Sequence, residues 1–205
     1  MAKARRRDDV IRLTTPLEAK AVRALRAGDI VSLDGTVFTL RDQAHLRALA
    51  GGPPADLRGA AVYHCGPLAV KDTRSGDGWN VIAAGPTTSA RMEPLEPGFL
   101  RRFRPGAIIG KGGMGPATLE ALGEVGAIYL AWTGGAALLA ARAVRRVAAV
   151  HWLDLGVPEA VWEFEVEDFG PMIVGMDSHG GDLYRDVRER VESGLPAVRR
   201  SLGIG

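Results

Sequence analysis

Cysteine is almost missing from this chain: Cys65 is the single copy. That scarcity excludes an internal disulfide and excludes a cluster or thiolate metal site built from this chain alone, and it fits a reducing cytoplasm. Charge imbalance is also missing. Lys and Arg number 26 against 24 Asp and Glu, a formal charge of +2, too small for the footprint of a nucleic-acid binder. Basic residues gather at Lys3–Arg7 and between Arg101 and Arg104, where a solvated tail and a turn account for them. No run approaches the roughly 20 consecutive apolar residues of a membrane-spanning helix. The start, MAKARRRDDVIRL, has basic residues but no apolar core, so it does not read as a secretory signal. A cytoplasmic protein with neither nucleic acid nor membrane as partner is expected.

What is present suffices for one substantial core: 205 residues, 46% apolar and 24% charged, an ordinary globular composition. The reading divides the chain into a basic flexible tail (1–9), one domain (10–192) and a C-terminal tail (193–205). Val10–Leu13 alternates like a short edge strand. Thr14-Thr15-Pro16 then opens a helix that Gly28 ends. Residues 29–33 and 36–40 read as two strands of a hairpin turned at Asp34-Gly35. Arg41–Leu49 reads as a helix and Ala60–Cys65 as a strand. Gly76-Asp77-Gly78 is a polar loop, and Asn80–Ala84 a strand. Pro105–Lys111 and Ala127–Trp132 read as apolar strands, each followed by a helix (116–122 and 135–144). Val161–Val166 and Met172–Met176 read as two further strands, and Leu183–Val191 as the last helix. Strands interleaved with helices imply an α/β domain with much parallel pairing.

Three loops carry candidate chemistry. In Gly85-Pro86-Thr87-Thr88-Ser89-Ala90-Arg91-Met92, hydroxyls and a guanidinium follow a turn at a strand end, a combination suited to a carboxylate or phosphate. An ST-turn beside a solvated arginine is an equal alternative. Ile108-Ile109-Gly110-Lys111-Gly112-Gly113-Met114-Gly115 matches a dinucleotide-binding glycine pattern between a strand and a helix. However, the next strand ends Ala131-Trp132-Thr133-Gly134, without the acid that a ribose needs. What remains is a lysine on a glycine cradle near a helix N-terminus, a place for an anion, with glycines for chain reversal beside a solvated lysine as the alternative. In Arg41-Asp42-Gln43-Ala44-His45, Arg41 is placed to reach a ligand, Asp42 to cap the helix, and His45 lies one turn on, on a face shared with Arg41; taken alone, the stretch reads first as a surface ion-pair cluster. His64 and Cys65 are strand neighbours pointing to opposite faces, which argues against a nucleophilic pair. His151 and His179 lack metal-ligand spacing.

Taken together and in order, GDIVSLDGTVFTLRDQAH, YHCGPLAV, GPTTSARM and IGKGGMG resemble the C-terminal domain, or beta subunit, of class I iron–sulfur fumarate hydratases and L(+)-tartrate dehydratases, across residues 10–180. The resemblance implies a swivelling β/β/α fold in a single compact domain. It implies a hydro-lyase that hydrates fumarate to malate or dehydrates tartrate to oxaloacetate, with the 4Fe–4S cluster on a partner alpha subunit and no metal ligand in this chain. It further implies a hetero-oligomer of two alpha and two beta chains, leaving open a homodimer of this chain alone. By position, Arg41 and Arg91 match arginines that hold substrate carboxylates, and Lys111 matches a lysine that contacts substrate. Thr87 matches the residue that moves the Cβ proton, with Thr88 and His45 as neighbouring substrate-binding candidates. Glu93 stands where the pattern has Asp. Two other functions compete: a non-catalytic module that binds an anionic metabolite, and an NAD-dependent oxidoreductase resting on GKGGMG.

Overall fold

The computed structural model describes residues 9–72 and 78–204; the basic run Lys3–Arg7 and most of the Gly76-Asp77-Gly78 loop lie outside them. In chain order the elements are β1 (Ile11–Thr14), α1 (Ala19–Arg23), β2 (Ile30–Thr39), α2 (Asp42–Gly51), β3 (Ala61–Tyr63), β4 (Leu68–Lys71), β5 (Trp79–Ala83), a 3-10 turn (Ser89–Met92), α3 (Glu96–Phe103), β6 (Ala107–Gly110), α4 (Pro116–Val125), β7 (Ile128–Ala131), α5 (Ala137–Ala143), β8 (Val144–His151), β9 (Val161–Met176) and α6 (Leu183–Ser201). The main sheet has the order β1-β2-β3-β6-β7-β9-β8, and β9 also pairs with β2. Strands β2, β3, β6, β7 and β9 therefore close on themselves, and β1 and β8 remain as edge strands attached to β2 and β9. β4 and β5 form a separate antiparallel pair.

β1, β2, β3, β6 and β7 run parallel to their neighbours, whereas β9 returns antiparallel along β2, β7 and β8. Side chains alternate across a strand, and here the alternation splits each short strand between two cores. Ala61, Tyr63, Ala107, Ile109, Ile128 and Leu130 point into one, with Trp162, Phe164 and Phe169. Val62, Ile108 and Tyr129 point into the other, against Phe99 and Leu100 of α3 and Ala121 and Leu122 of α4. Burial on both faces is why these strands read as continuous apolar runs.

The expected hairpin at Asp34-Gly35 is not formed. β2 runs unbroken through it, with shifts in its pairing to β9 on either side of Leu33. Gly35 takes φ +103°, and a Cβ there would lie 2.5 Å from Thr15 Oγ1. The Asp-Gly pair makes a bulge in one bent strand, using the freedom of glycine that a turn would have used. Residues 31–34 of β2 pair with β1 and residues 37–39 with β3. Thr15 is likewise no helix cap: Glu18 precedes α1, and Thr15 Oγ1 accepts from the Thr36 N–H at 2.5 Å. Val161–Val166 and Met172–Met176 are two ends of β9. Its pairing with β2 steps from Phe169 to Met172, past Gly170-Pro171, which make a bulge where the sequence reads as a break. α6 runs to Ser201 rather than stopping at Val191, and none of its residues is buried. Asp182 caps its start, accepting from the N–H groups of Tyr184 and Arg185.

Candidate functional site

Because β2, β3, β6 and β7 are parallel, their carboxyl ends share one side of the sheet, where α/β proteins place ligand loops. Arg41 follows β2, His64 follows β3, Lys111 follows β6 and Gly134 follows β7. The Gly85–Thr88 loop is stitched across these ends by backbone hydrogen bonds. Thr87 N–H donates to the His64 carbonyl (2.7 Å), Lys111 N–H to the Thr87 carbonyl (3.1 Å) and Ser89 N–H to the Lys111 carbonyl (3.0 Å). Thr87, Thr88 and Lys111 are thus neighbours, and Arg91 follows in the 3-10 turn. Thr87 and Lys111 are half-buried, while Thr88 and Arg91 are exposed.

Asp42 joins the two arginines. Its Oδ2 accepts from Arg91 Nη2 at 2.5 Å and lies 3.9 Å from Arg41 Nη2. Arg41 Nε also faces Glu159 Oε1 at 3.2 Å. Burial favours a protonated Asp42, but the Arg91 hydrogen bond and the charges of Arg91 and Arg41 prevail and hold its carboxyl below the usual value. Asp42 does not cap α2 as its position suggests; Arg41 is the N-cap residue, without a side-chain cap bond, and Asp42 works on the guanidinium groups. Space for Arg41 comes from Gly66, where a Cβ would sit 2.5 Å from Arg41 Nη1. Lys111 lies beside Gly134, whose Cβ would be 3.5 Å from Lys111 Cδ. Among the described residues, Lys111 takes part in no ion pair.

The glycine-rich turn does not offer a dinucleotide its usual seat. The start of α4 is filled by Glu93, whose carboxylate accepts from Gly115 N–H (2.7 Å), Thr118 N–H (3.2 Å) and the Thr118 hydroxyl (2.7 Å). A carboxylate at a helix N-terminus meets the donors and dipole that a pyrophosphate would use. The glycines instead make room. A Cβ at Gly115 would be 2.4 Å from Glu93 Oε1, and one at Gly110 would be 1.8 Å from Ser89 Oγ.

Under this rim lies a layer that sequence reasoning misses. His45, expected on the ligand face, is fully buried, as are His64, Ser89 and Glu96. Glu96 Oε2 lies 3.3 Å from His45 Nε2 and 3.0 Å from His64 Nε2. His45 Nδ1 lies 2.9 Å from the Arg41 carbonyl, and His64 Nδ1 lies 2.9 Å from Ser89 Oγ. Tyr129 completes the chain, its hydroxyl 3.0 Å from Ser89 Oγ and 2.8 Å from the Gly112 carbonyl. Burial favours a neutral Glu96, yet the facing His64 and His45 overcome it and leave the carboxyl at about 2. For His45, burial is outweighed by Glu96 and its value is raised; for His64, burial prevails and its value is lowered. The sequence signal for Glu96 is slight, since Glu-Pro-Gly reads as an exposed turn. Cys65 is buried, and burial pushes its thiol up, so it is neither a nucleophile nor a thiolate ligand.

The arrangement is therefore a rim with three cations and two threonines at the strand ends, above a buried acid–imidazole layer. Fixed cations on such a rim suit a carboxylate-bearing ligand and can stabilise negative charge that grows on it. No helix among the described residues is long and apolar enough to cross a membrane.

A family model described as Fumarase C-terminus matches residues 1–187. "Putative L(+)-tartrate dehydratase subunit beta" of Methanocaldococcus jannaschii is 45% identical over 181 residues, covering 85% of this chain and 91% of that protein. L(+)-tartrate dehydratase subunit beta of Escherichia coli (strain K12) is 42% identical over 173 residues, 83% of this chain and 85% of that one. "Putative fumarate hydratase class I" of Geobacillus stearothermophilus is 43% identical over 180 residues, covering 88% of this chain but 34% of that longer protein.

Proposed function

This chain belongs to the fumarase C-terminus family, and from that premise we propose that it is the beta subunit of a two-subunit hydro-lyase acting on a hydroxy-diacid or its dehydrated product. Fumarate and L(+)-tartrate are the two compounds that the relatives' names put forward; hydration of the first gives malate, and dehydration of the second gives oxaloacetate. The single observation that carries this reading is the rim: Arg41 and Arg91 share Asp42, and Lys111 is bonded through its backbone to the loop of Thr87 and Thr88 at the carboxyl ends of the same parallel strands.

In this reading Arg41 and Arg91 grip a substrate carboxylate, with Asp42 fixing the direction of both forks. A guanidinium binds a carboxylate through two parallel N–H bonds, so its orientation matters as much as its charge. Removing a proton from carbon beside a carboxylate puts negative charge on that group, and Lys111, unpaired with any described acid, stabilises it. Thr87 moves the proton, and the neighbouring cations favour its alkoxide form; an alcohol without such help is a poor base near neutral pH. Thr88, exposed beside it, contacts substrate.

The family resemblance implies a 4Fe–4S cluster, and this chain's residues do not fit one. Cys65 is the only cysteine, it is buried, and its thiol is held protonated. We therefore place the cluster on a separate alpha subunit, which the relatives' designation as subunit beta supports, in a hetero-oligomer working in the cytoplasm. The test is co-expression with a cluster-bearing alpha subunit without oxygen, followed by assays on fumarate, malate, mesaconate and both tartrates. Activity on a diacid by the pair, and none by the chain alone, is the expected result. A pair inactive on all of them, with its cluster intact, overturns the reading.

A further inference from the structure

The buried layer beneath the rim holds a carboxyl that the two facing imidazoles keep ionised against its burial, and its contacts then point to one arrangement of protons. Neither the 3.0 Å nor the 3.3 Å contact to Glu96 has the alignment of a hydrogen bond, and both Glu96 oxygens and both Nε2 atoms are fully buried without another partner. A buried carboxylate left to misaligned neutral donors is costly. A positive charge has to sit against it. The Arg41 carbonyl can only accept, and it takes both the backbone N–H of His45, at 2.8 Å, and its Nδ1–H. Nδ1 of His45 is therefore protonated, and an unprotonated Nε2 would turn its lone pair toward Glu96. A proton on Nε2 removes that conflict and makes His45 the cation. His64 then needs no charge: Nε2–H faces Glu96, and Nδ1 accepts from the Ser89 hydroxyl, with the single Tyr129 O–H shared between Ser89 Oγ and the Gly112 carbonyl.

The His45, His64 and Glu96 donor atoms all lie within 4.8 Å of one another, so a divalent ion is the rival to the proton. Two neutral imidazoles, one carboxylate and a doubly charged ion sum to +1 inside the core, directly behind Arg41. One proton makes the sum zero. In a medium of low dielectric a net charge is costly, so the neutral sum is favoured.

The ends of this chain are what give it a role. His45 holds the backbone of Arg41. His64, whose carbonyl accepts from Thr87 N–H, holds Ser89, the neighbour of Thr88. Tyr129 reaches the carbonyl of Gly112, the neighbour of Lys111. We propose that His45, Glu96 and His64 form a buried imidazolium–carboxylate–imidazole strut that sets the spacing of the three substrate-binding loops, with Glu96 as the central positioning residue. None of the three touches the ligand. The strut's use in catalysis rests on the hydro-lyase reading above, whereas its charge state does not.

Two measurements separate these. Nitrogen-15 NMR of the histidine side chains, on the full chain at pH 7, is expected to show one buried imidazolium and one buried neutral ring with its proton on Nε2. Two neutral buried rings, or one equivalent of a divalent metal in the purified protein that is lost in Glu96→Gln, overturn the strut. In the co-expressed pair, Glu96→Gln keeps shape and removes charge; kcat/KM is expected to fall 10- to 100-fold, with KM rising because Arg41 is misplaced, and Glu96→Asp to recover part of it. An active wild-type pair with Glu96→Gln within twofold of it overturns the proposal. An inactive wild-type pair counts against the hydro-lyase reading alone. If Glu96→Gln does not fold, the NMR charge states decide.

Discussion

The rim of the site and the layer beneath it are built from similar residues under opposite conditions. On the rim, Arg91 is half exposed and Asp42 one-quarter exposed, so water already screens their pairing and a ligand can compete for it. Underneath, His45, His64 and Glu96 have no exposure at all, so each charge depends on its neighbour. Removing one member from the first set changes what the site binds; removing one from the second changes whether the site stands.

The largest expected effect breaks the lower layer. Glu96→Ala leaves an imidazolium without its counter-charge in the core, and unfolding by denaturant should show a loss of about 3–5 kcal/mol. The pH dependence sharpens the same point. The carboxyl of Glu96 is depressed from 4.5 to about 2 in the fold, so its stabilisation is fully present above pH 4.5 and fades as pH falls toward 2. His45 is raised, so its share is present below its unfolded value and fades as pH climbs through its folded one. Asp42, whose charge acts on both rings, is depressed too and adds to the acid limb, as does His64, whose burial lowers its value so that its protonation opposes the fold. Glu96→Gln should flatten that limb relative to wild type in denaturation curves taken from pH 5 to 3. A parallel acid limb in both proteins would remove Glu96 from the account.

Gly110→Ala comes next. The added Cβ overlaps Ser89 Oγ, which would be 1.8 Å away, and forces the loop aside at a cost of about 1–3 kcal/mol in a denaturation assay. Asp42→Asn on the rim should cost no more than about 1 kcal/mol of stability, while substrate KM in the co-expressed pair rises as both guanidinium groups lose their guide. An unchanged KM would show that Asp42 does not direct them.

The two layers also differ in how far the sequence discloses them. The rim residues sit in short motifs whose chemistry is local, so Thr87, Thr88, Arg91 and Lys111 stand out from their neighbours in the chain alone. Arg41 stands out in the same way, although Asp42 serves the guanidinium groups and not the helix end. The lower layer is non-local: Glu96 opens α3, His64 leaves β3 and His45 lies in α2, and only the packing of α2 and α3 beside the end of β3 brings them together. Helical spacing relates His45 to Arg41 and so suggests the ligand face, but spacing does not say which side of the helix faces the core. In the fold, apolar runs mark most of the parallel strands, whereas Asp34-Gly35 misleads because a bulge and a hairpin call on the same residue types. β8 escapes a pattern search because its two arginines, Arg145 and Arg146, pair outward with Glu167 and Glu165 and break the apolar run.

One substitution tests the rim most directly. Lys111→Ala removes an ammonium that makes no ion pair with the described residues, so stability should stay within about 0.5 kcal/mol of wild type. In the pair co-expressed without oxygen, turnover of the diacid should nevertheless fall by about 10²–10³. A folded Lys111→Ala enzyme that retains turnover within about tenfold of wild type would contradict the account.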